Sequence, residues 1–246
     1  MDDPGERDWR VLLLGGASGS GKSRLSYPLA RRYQVPIVEV DDLVLAVQRM
    51  TTPDQQPMVH YWDTHPDPGS LPVSHVVESQ IAVAEALWPA LDAVIGNHLE
   101  TGTPVIMEGD YLLPALAAQS SFAGHAANGH VRAVFLHEPD PGQVVANYLL
   151  REPDKGEQRT RAQGSVRYGD WLAARAREHG IPVIAARPWA TTLSRVCALL
   201  DEPASALGTS VPSAGVAQEK SSRATAGNSS PGTGNRELPE REPNSA

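Results

Sequence analysis

The sequence predicts an α/β fold, a five-stranded parallel sheet with helices on both faces. Three observations predict it. Short apolar runs of strand length alternate five times with helix-patterned segments, and strands that read as continuous apolar runs are covered on both sides. The first run, Val11-Leu12-Leu13-Leu14, leads into Gly16-Ala17-Ser18-Gly19-Ser20-Gly21-Lys22-Ser23, which meets G-x-x-x-x-G-K-[ST] at every fixed position and is followed by helix-like sequence. Finally, Ser18, Asp41, Glu108 and Asp110 all fall at carboxyl ends of predicted strands, the end where such sheets bind ligands.

The elements follow in order. Strand one covers 10–14, and the helix after the loop covers 23–33, with Leu25 and Leu29 spaced to face the sheet. Strand two covers 35–40 and ends in Asp41-Asp42, before a short helix over 43–49. Residues 51–72 are proline-rich and read as a long excursion. A long helix over 74–100 carries an apolar stripe of Val77, Ile81, Ala84, Trp88, Leu91, Ile95 and Leu99, with a kink expected at Pro89. Strand three covers 103–107 and strand four 131–136. A helix over 144–150, a polar segment over 151–164, a helix over 166–179, strand five over 181–185 and a last helix complete the body. That last helix has Leu193, Val196, Cys197 and Leu200 on one face.

A folded domain over 1–200 is therefore expected, with a lid over about 151–165. From 201 to 246 there is no aromatic residue and much Ser, Gly, Pro, Ala and Thr. Such a segment buries too little apolar surface to offset its ordering entropy, so a disordered tail is expected.

Composition narrows the function. The formal net charge is −8 and no long basic cluster occurs, which argues against nucleic acid as the main partner. The lone cysteine, Cys197, cannot form an internal disulfide and fits a reducing compartment. No secretory signal opens the chain and no apolar stretch approaches the ~20 residues of a membrane span. A cytoplasmic protein with no membrane partner is expected; oligomeric state is not legible.

The glycine-rich loop carries the chemistry. Its backbone N–H groups and the N-terminus of the following helix would cradle phosphates, with Gly16, Ala17, Ser18, Gly19, Ser20 and Gly21 forming the cradle. Lys22 would reach the β- and γ-phosphates of ATP and the Ser23 hydroxyl would ligate Mg²⁺. Only three of the 21 Lys and Arg residues are lysines, yet one stands where phosphate chemistry asks for it. Glu108 would orient the metal, with Asp110 the second candidate or a cap of the following helix. Asp41 or Asp42 would accept a proton from an acceptor hydroxyl, Asp41 being the choice and the other a helix cap. Arg151, Arg159, Arg161 and Arg167 lie in or beside the polar segment. Arg159 and Arg161 are the expected catalytic pair, since guanidinium groups suit a transferring phosphoryl group and a lid would bring them in. Arg187, in Arg187-Pro188-Trp189, would sit near the adenine. No histidine spacing suits a structural metal. His60, Tyr61, Trp62, Asp63 and His65 cluster in the excursion, either as an acceptor pocket or as loop packing.

These motifs resemble a known group. The stretch from Val11 to Ser23 is similar to the opening of small-molecule P-loop kinases, particularly 2-phosphoglycerate kinases and uridine kinases. Glu108-Gly109-Asp110-Tyr111-Leu112-Leu113-Pro114 resembles the E-G-V-H-L-V-P motif of 2-phosphoglycerate kinases. Glu108, Gly109, Leu112 and Pro114 match, Asp110 stands for Val and Tyr111 for His. Asp41-Asp42 is closer to the Asp-Asp of uridine-kinase relatives, where the first aspartate acts on a sugar hydroxyl. Trp62-Asp63-Thr64-His65-Pro66 only echoes their F-D-H-P motif. The resemblance implies a three-layer α/β/α P-loop NTPase fold of nucleoside-monophosphate-kinase type. It also implies an enzyme that moves the γ-phosphoryl of Mg-ATP to a hydroxyl on a small-molecule acceptor. The alternative is a P-loop switch that binds or hydrolyses ATP with no acceptor. A GTPase would need N-K-x-D, which is absent, and Arg24 occupies the third glycine position of a dinucleotide fingerprint.

Overall fold

The computed structural model describes residues 7–202. The expected tail over 203–246 lies outside the described residues. Within the body, β1 (Val11–Gly15), β2 (Ile37–Glu39), β3 (Val105–Gly109), the two-residue strands β4 (Ser121–Phe122) and β5 (His125–Ala126), β6 (Val131–His137) and β7 (Val183–Ala185) are joined by eight helices. These are α1 (Lys22–Tyr33), α2 (Val40–Met50), α3 (Tyr61–Thr64), α4 (Val73–Thr101), α5 (Pro114–Ala117), α6 (Pro141–Arg151), α7 (Arg159–Glu178) and α8 (Trp189–Asp201).

The main sheet has the order β2-β3-β1-β6-β7, and every pairing in it is parallel. β1 is central, its five residues buried on both faces. Its side chains alternate between two cores, as a strand's period of two requires. Val11 and Leu13 join Val105 and Met107 beneath α4 and α7, while Leu12 and Leu14 join Ile106, Val134 and Leu136 beneath α1 and α8. This is the expected three-layer α/β/α fold. The chain runs from β1 out to β2, returns to β3 and then crosses to β6, so the topological switch lies at the carboxyl end of β1.

Several boundaries differ from the expectation, each for a local reason. Asp41 and Asp42 belong to the first turn of α2, where negative charge meets the positive helix end. Neither caps it, because the cap position is Glu39 and no side chain bonds there. α6 starts at Pro141, three residues early, because the Asp140 carboxylate accepts from Gly142 N at 2.8 Å and proline suits the first helical position. α4 runs through Pro89 as one helix. The carbonyl that Pro89 leaves unpaired belongs to Glu85, and both residues are exposed to water. The buried stripe of α4 is centred on Val76, Val83, Leu87, Leu91 and Ile95, rotated about the helix axis by roughly one residue, ~100°, from Val77, Ile81 and Trp88, because α7 and the β4–β5 hairpin cover that side. Asp201 ends α8 rather than opening a tail: its carboxylate accepts from Tyr33 Oη at 2.8 Å and Arg32 Nη2 at 3.0 Å.

The segment expected as a lid is more regular than its sequence suggested. Residues 159–164 form the opening turns of α7, which begins seven residues before the sequence suggested. Ala162 and Gly164 are buried in those turns, Gly164 against Val76 of α4. The irregular part between α6 and α7 shrinks to 152–158, with a short 3₁₀ turn at Pro153–Lys155.

Candidate active site

The loop after β1 is held open by its neighbours. Ser165 Oγ donates to Ser18 O at 2.5 Å, Tyr148 Oη donates to the same carbonyl at 3.4 Å and Asn147 Nδ2 donates to Gly19 O at 2.8 Å. Carbonyls drawn outward by α6 and α7 leave the loop's N–H groups for the inner side, as an anion cradle needs. Gly21 has φ +98°, and a Cβ there would stand 2.6 Å from the Trp189 ring. Gly16 has φ +142°, with the Leu136 carbonyl where a Cβ would go. Ser18 to Ser23 line a cleft of about 1030 Å³. Gly16 and Ala17 do not line it; they lie buried beneath and shape the turn.

Lys22 is buried. Its ammonium donates to Ala17 O at 3.2 Å and pairs with the Asp110 carboxylate. Asp110 does not cap the following helix, whose cap position is Leu113. The Asp110 carbonyl accepts from Tyr168 Oη of α7 at 2.9 Å. Ser23 Oγ donates to Glu108 Oε1 at 2.7 Å. Burial pushes the Glu108 carboxyl above its usual value, while Lys22 and the Ser23 hydroxyl pull it down.

Mg²⁺ fits this spot. The Ser23 hydroxyl and the Glu108 carboxylate are hard oxygen donors meeting at one place. Ser20 Oγ, buried on the cleft wall, has no hydrogen-bond partner among the described residues, an orphan that a phosphate oxygen would satisfy.

Asp41 lines the same cleft. Its side chain opens toward the cavity, yet the surrounding protein removes enough water to push its carboxyl upward, and the charge of Asp110 adds to this. Asp42 is exposed and does not line the cleft. Arg151, Arg159 and Arg161 line it, as does Arg187, whereas Arg167 does not. The arginines are paired: Arg161 with Glu152 at 3.1 Å, Arg151 with Glu152 at 2.7 Å, Arg159 with Glu157 at 2.5 Å, and Arg187 with the buried Glu138 at 3.1 Å. Lys155, Arg151 and Arg161 together hold the Glu152 carboxyl down at about 2. Arg24 lies 4.7 Å over the Trp189 ring, which builds a flat wall beside Arg187.

The excursion divides. Trp62 and His65 line the cleft, and Tyr61 stacks on His65 with ring centroids 4.3 Å apart. His60 is instead buried against Thr51 Oγ1 at 3.1 Å and Asp63 at 3.4 Å, a packing role. Asn147, Ser165 and Gln80 also line the cleft and were not legible as wall residues, since isolated amides and hydroxyls on helices form no motif. Ser165 falls at the end of the segment expected as a lid, and Asn147 in the helix before it.

Among the described residues, no helix is long and apolar enough to cross a membrane. Sheet order and loop together define a P-loop fold of the nucleoside-monophosphate-kinase type. No protein-family model matches the chain. Its distant relatives are small-molecule kinases. It is similar to a 2-phosphoglycerate kinase of Methanocaldococcus jannaschii, 23% identical over 190 residues that cover 71% of this chain and 57% of that protein. It is also similar to a mevalonate-3-phosphate 5-kinase of Thermoplasma acidophilum, 22% identical over 132 residues that cover 53% of this chain and 63% of that protein. Among solved structures it is similar to a gluconokinase from Sinorhizobium meliloti 1021, at 20% identity and a TM-score of 0.47, covering 79% of this chain and 93% of that one. The chain spans 57–59% of the length of the first curated relatives it matches.

Proposed function

We propose that the protein is an ATP-dependent phosphotransferase, acting in the cytoplasm, that moves the γ-phosphoryl group of ATP to a hydroxyl of a small molecule. The observation that carries this reading is the sharing of one cleft by the phosphate loop, the Ser23–Glu108 pair and Asp41. An acceptor kinase uses a carboxylate facing the phosphate loop to orient the acceptor hydroxyl and take its proton.

The roles follow from the chemistry. The loop N–H groups and Ser20 hold the phosphates, and Lys22 turns from Asp110 to the β- and γ-phosphates. Ser23 and Glu108 would hold Mg²⁺, which neutralises charge on the phosphates when bound. Asp41 orients the acceptor hydroxyl and takes its proton as the new P–O bond forms and the bond to the β-phosphate oxygen breaks. Arg159 and Arg161, released from Glu157 and Glu152, would meet charge spreading on the transferring group. Arg187 and the Arg24–Trp189 wall would take the adenine.

The test is ADP release with Mg-ATP across a panel of hydroxyl compounds, with Lys22→Ala as control. Acceptor-dependent release that vanishes in the control is expected, with the variant's far-UV circular dichroism unchanged. Acceptor-independent slow hydrolysis would replace this reading with the switch.

A further inference from the structure

The acceptor side of the cleft is unusual in charge, and the reason is Asp110. Four carboxylates, Glu39, Asp41, Glu108 and Asp110, line the cavity around Lys22 and act on one another electrostatically. Lys22 is the cation inserted among them. Across the cavity Arg151 and Arg161 share Glu152 with Lys155, Arg159 pairs with Glu157 and Arg187 with Glu138. When the phosphates of a nucleotide take Lys22, Asp110 loses its counter-charge, and its backbone stays anchored through Tyr168. An acceptor group bearing a phosphate or carboxylate beside Asp110 would then meet its like charge. A hydroxyl or an ammonium group would donate to Asp110 and restore its pairing. The wall also carries an uncharged amide at Gln80. Gln80 Oε1 lies buried on the cavity wall with no hydrogen-bond partner among the described residues, a position that a ligand hydroxyl satisfies.

We propose that Asp110 is a specificity-determining residue. Freed from Lys22 by the nucleotide, it selects an acceptor without negative charge, a polyol or an amino alcohol. This rests on the kinase reading above and narrows it.

The experiment uses the full chain with Mg-ATP and matched compounds differing in charge: 2-phosphoglycerate and glycerol 3-phosphate against glycerol, longer polyols, 3-amino-1,2-propanediol and amino sugars. ADP release is measured for the wild type and Asp110→Asn, and nucleotide affinity is measured separately with a fluorescent ATP analogue. Uncharged or amine-bearing compounds should accelerate release, and the anionic ones should not. Asp110→Asn should raise the acceptor KM about tenfold or more, the loss expected for a charge-assisted hydrogen bond. It should bind the analogue at least as tightly as wild type, since the carboxylate no longer competes for Lys22. An anionic compound turned over better than its uncharged match overturns the inference and leaves the kinase reading standing. Weakened analogue binding in Asp110→Asn also overturns it, because the pair would then be holding the loop together. If no compound of either charge accelerates release, the kinase reading falls and this inference with it.

Discussion

Ser23 Oγ donates to Glu108 Oε1 at 2.7 Å, joining the first turn of α1 to the end of β3. The two residues are 85 apart in the chain, and the parallel pairing of β1 with β3, which sets Leu14 beside Glu108, brings them together. One oxygen pair thus ties the phosphate loop to the strand that would supply the metal's carboxylate.

Glu108→Gln keeps the size of the side chain and removes its charge. We expect apparent Mg²⁺ affinity to fall about 10–100-fold, the range for residues that orient a metal site, with ATP analogue binding in the absence of metal little changed. A Mg²⁺ titration of ADP release checks this. An unchanged metal dependence would remove Glu108 from the site.

As the proposed base, Asp41 would act only when ionised. Burial and the charge of Asp110 push its carboxyl upward, so the folded protein holds that proton to higher pH than an ordinary aspartate of ~3.9 does. Activity should be lost as pH falls, with a midpoint above that value, in a profile of kcat/KM. Asp41→Asn should lower kcat about 10²–10⁴-fold and remove this acidic limb from any residual rate.

Gly21 combines a left-handed φ of +98° with the Trp189 ring 2.6 Å from where a Cβ would stand. Gly21→Ala should displace Trp189 or reshape the loop. The expected result is a loss of ATP analogue affinity of about tenfold or more, with intrinsic tryptophan fluorescence changed before ligand is added. Gly21→Ala/Trp189→Ala should recover part of the loop's geometry, because the steric conflict is gone while the strain of positive φ remains.

Glu152 gathers Lys155, Arg151 and Arg161, and its carboxyl is depressed to about 2. A depressed carboxyl contributes stability that is fully present above the unfolded value of ~4.3 and is lost as pH falls toward about 2. Glu152→Gln should therefore lower the urea midpoint at pH 7 and have no effect near pH 2. The three cations around it reach water, so the change at pH 7 should be small, at most about 1 kcal/mol.

The main features of the fold were legible because they are local. A run of apolar residues on both faces marks β1, and the pattern from Gly16 to Ser23 marks the loop whatever surrounds it. Glu108 likewise lies at the end of β3, while Asp41 follows the end of β2 in the first turn of α2, both near where the residues before them placed them. The start of α7 was not legible. Arg159 to Gly164 look polar and loop-like, and they are helical because Ala162 and Gly164 find α4 and α6 to pack against.

The sequence by itself determined the α/β alternation, the phosphate loop and the acidic strand ends, since each is set by residues within a turn or two of one another. Only the tertiary structure decided that Lys22 pairs with Asp110, 88 residues away, that Asn147 and Ser165 draw out the carbonyls of Gly19 and Ser18, 128 and 147 residues away, and that Trp189 closes on Gly21. Those contacts depend on which strand lies beside which and on where helices cross the sheet's edge. Packing of the whole chain sets that arrangement, and no short stretch of sequence encodes it.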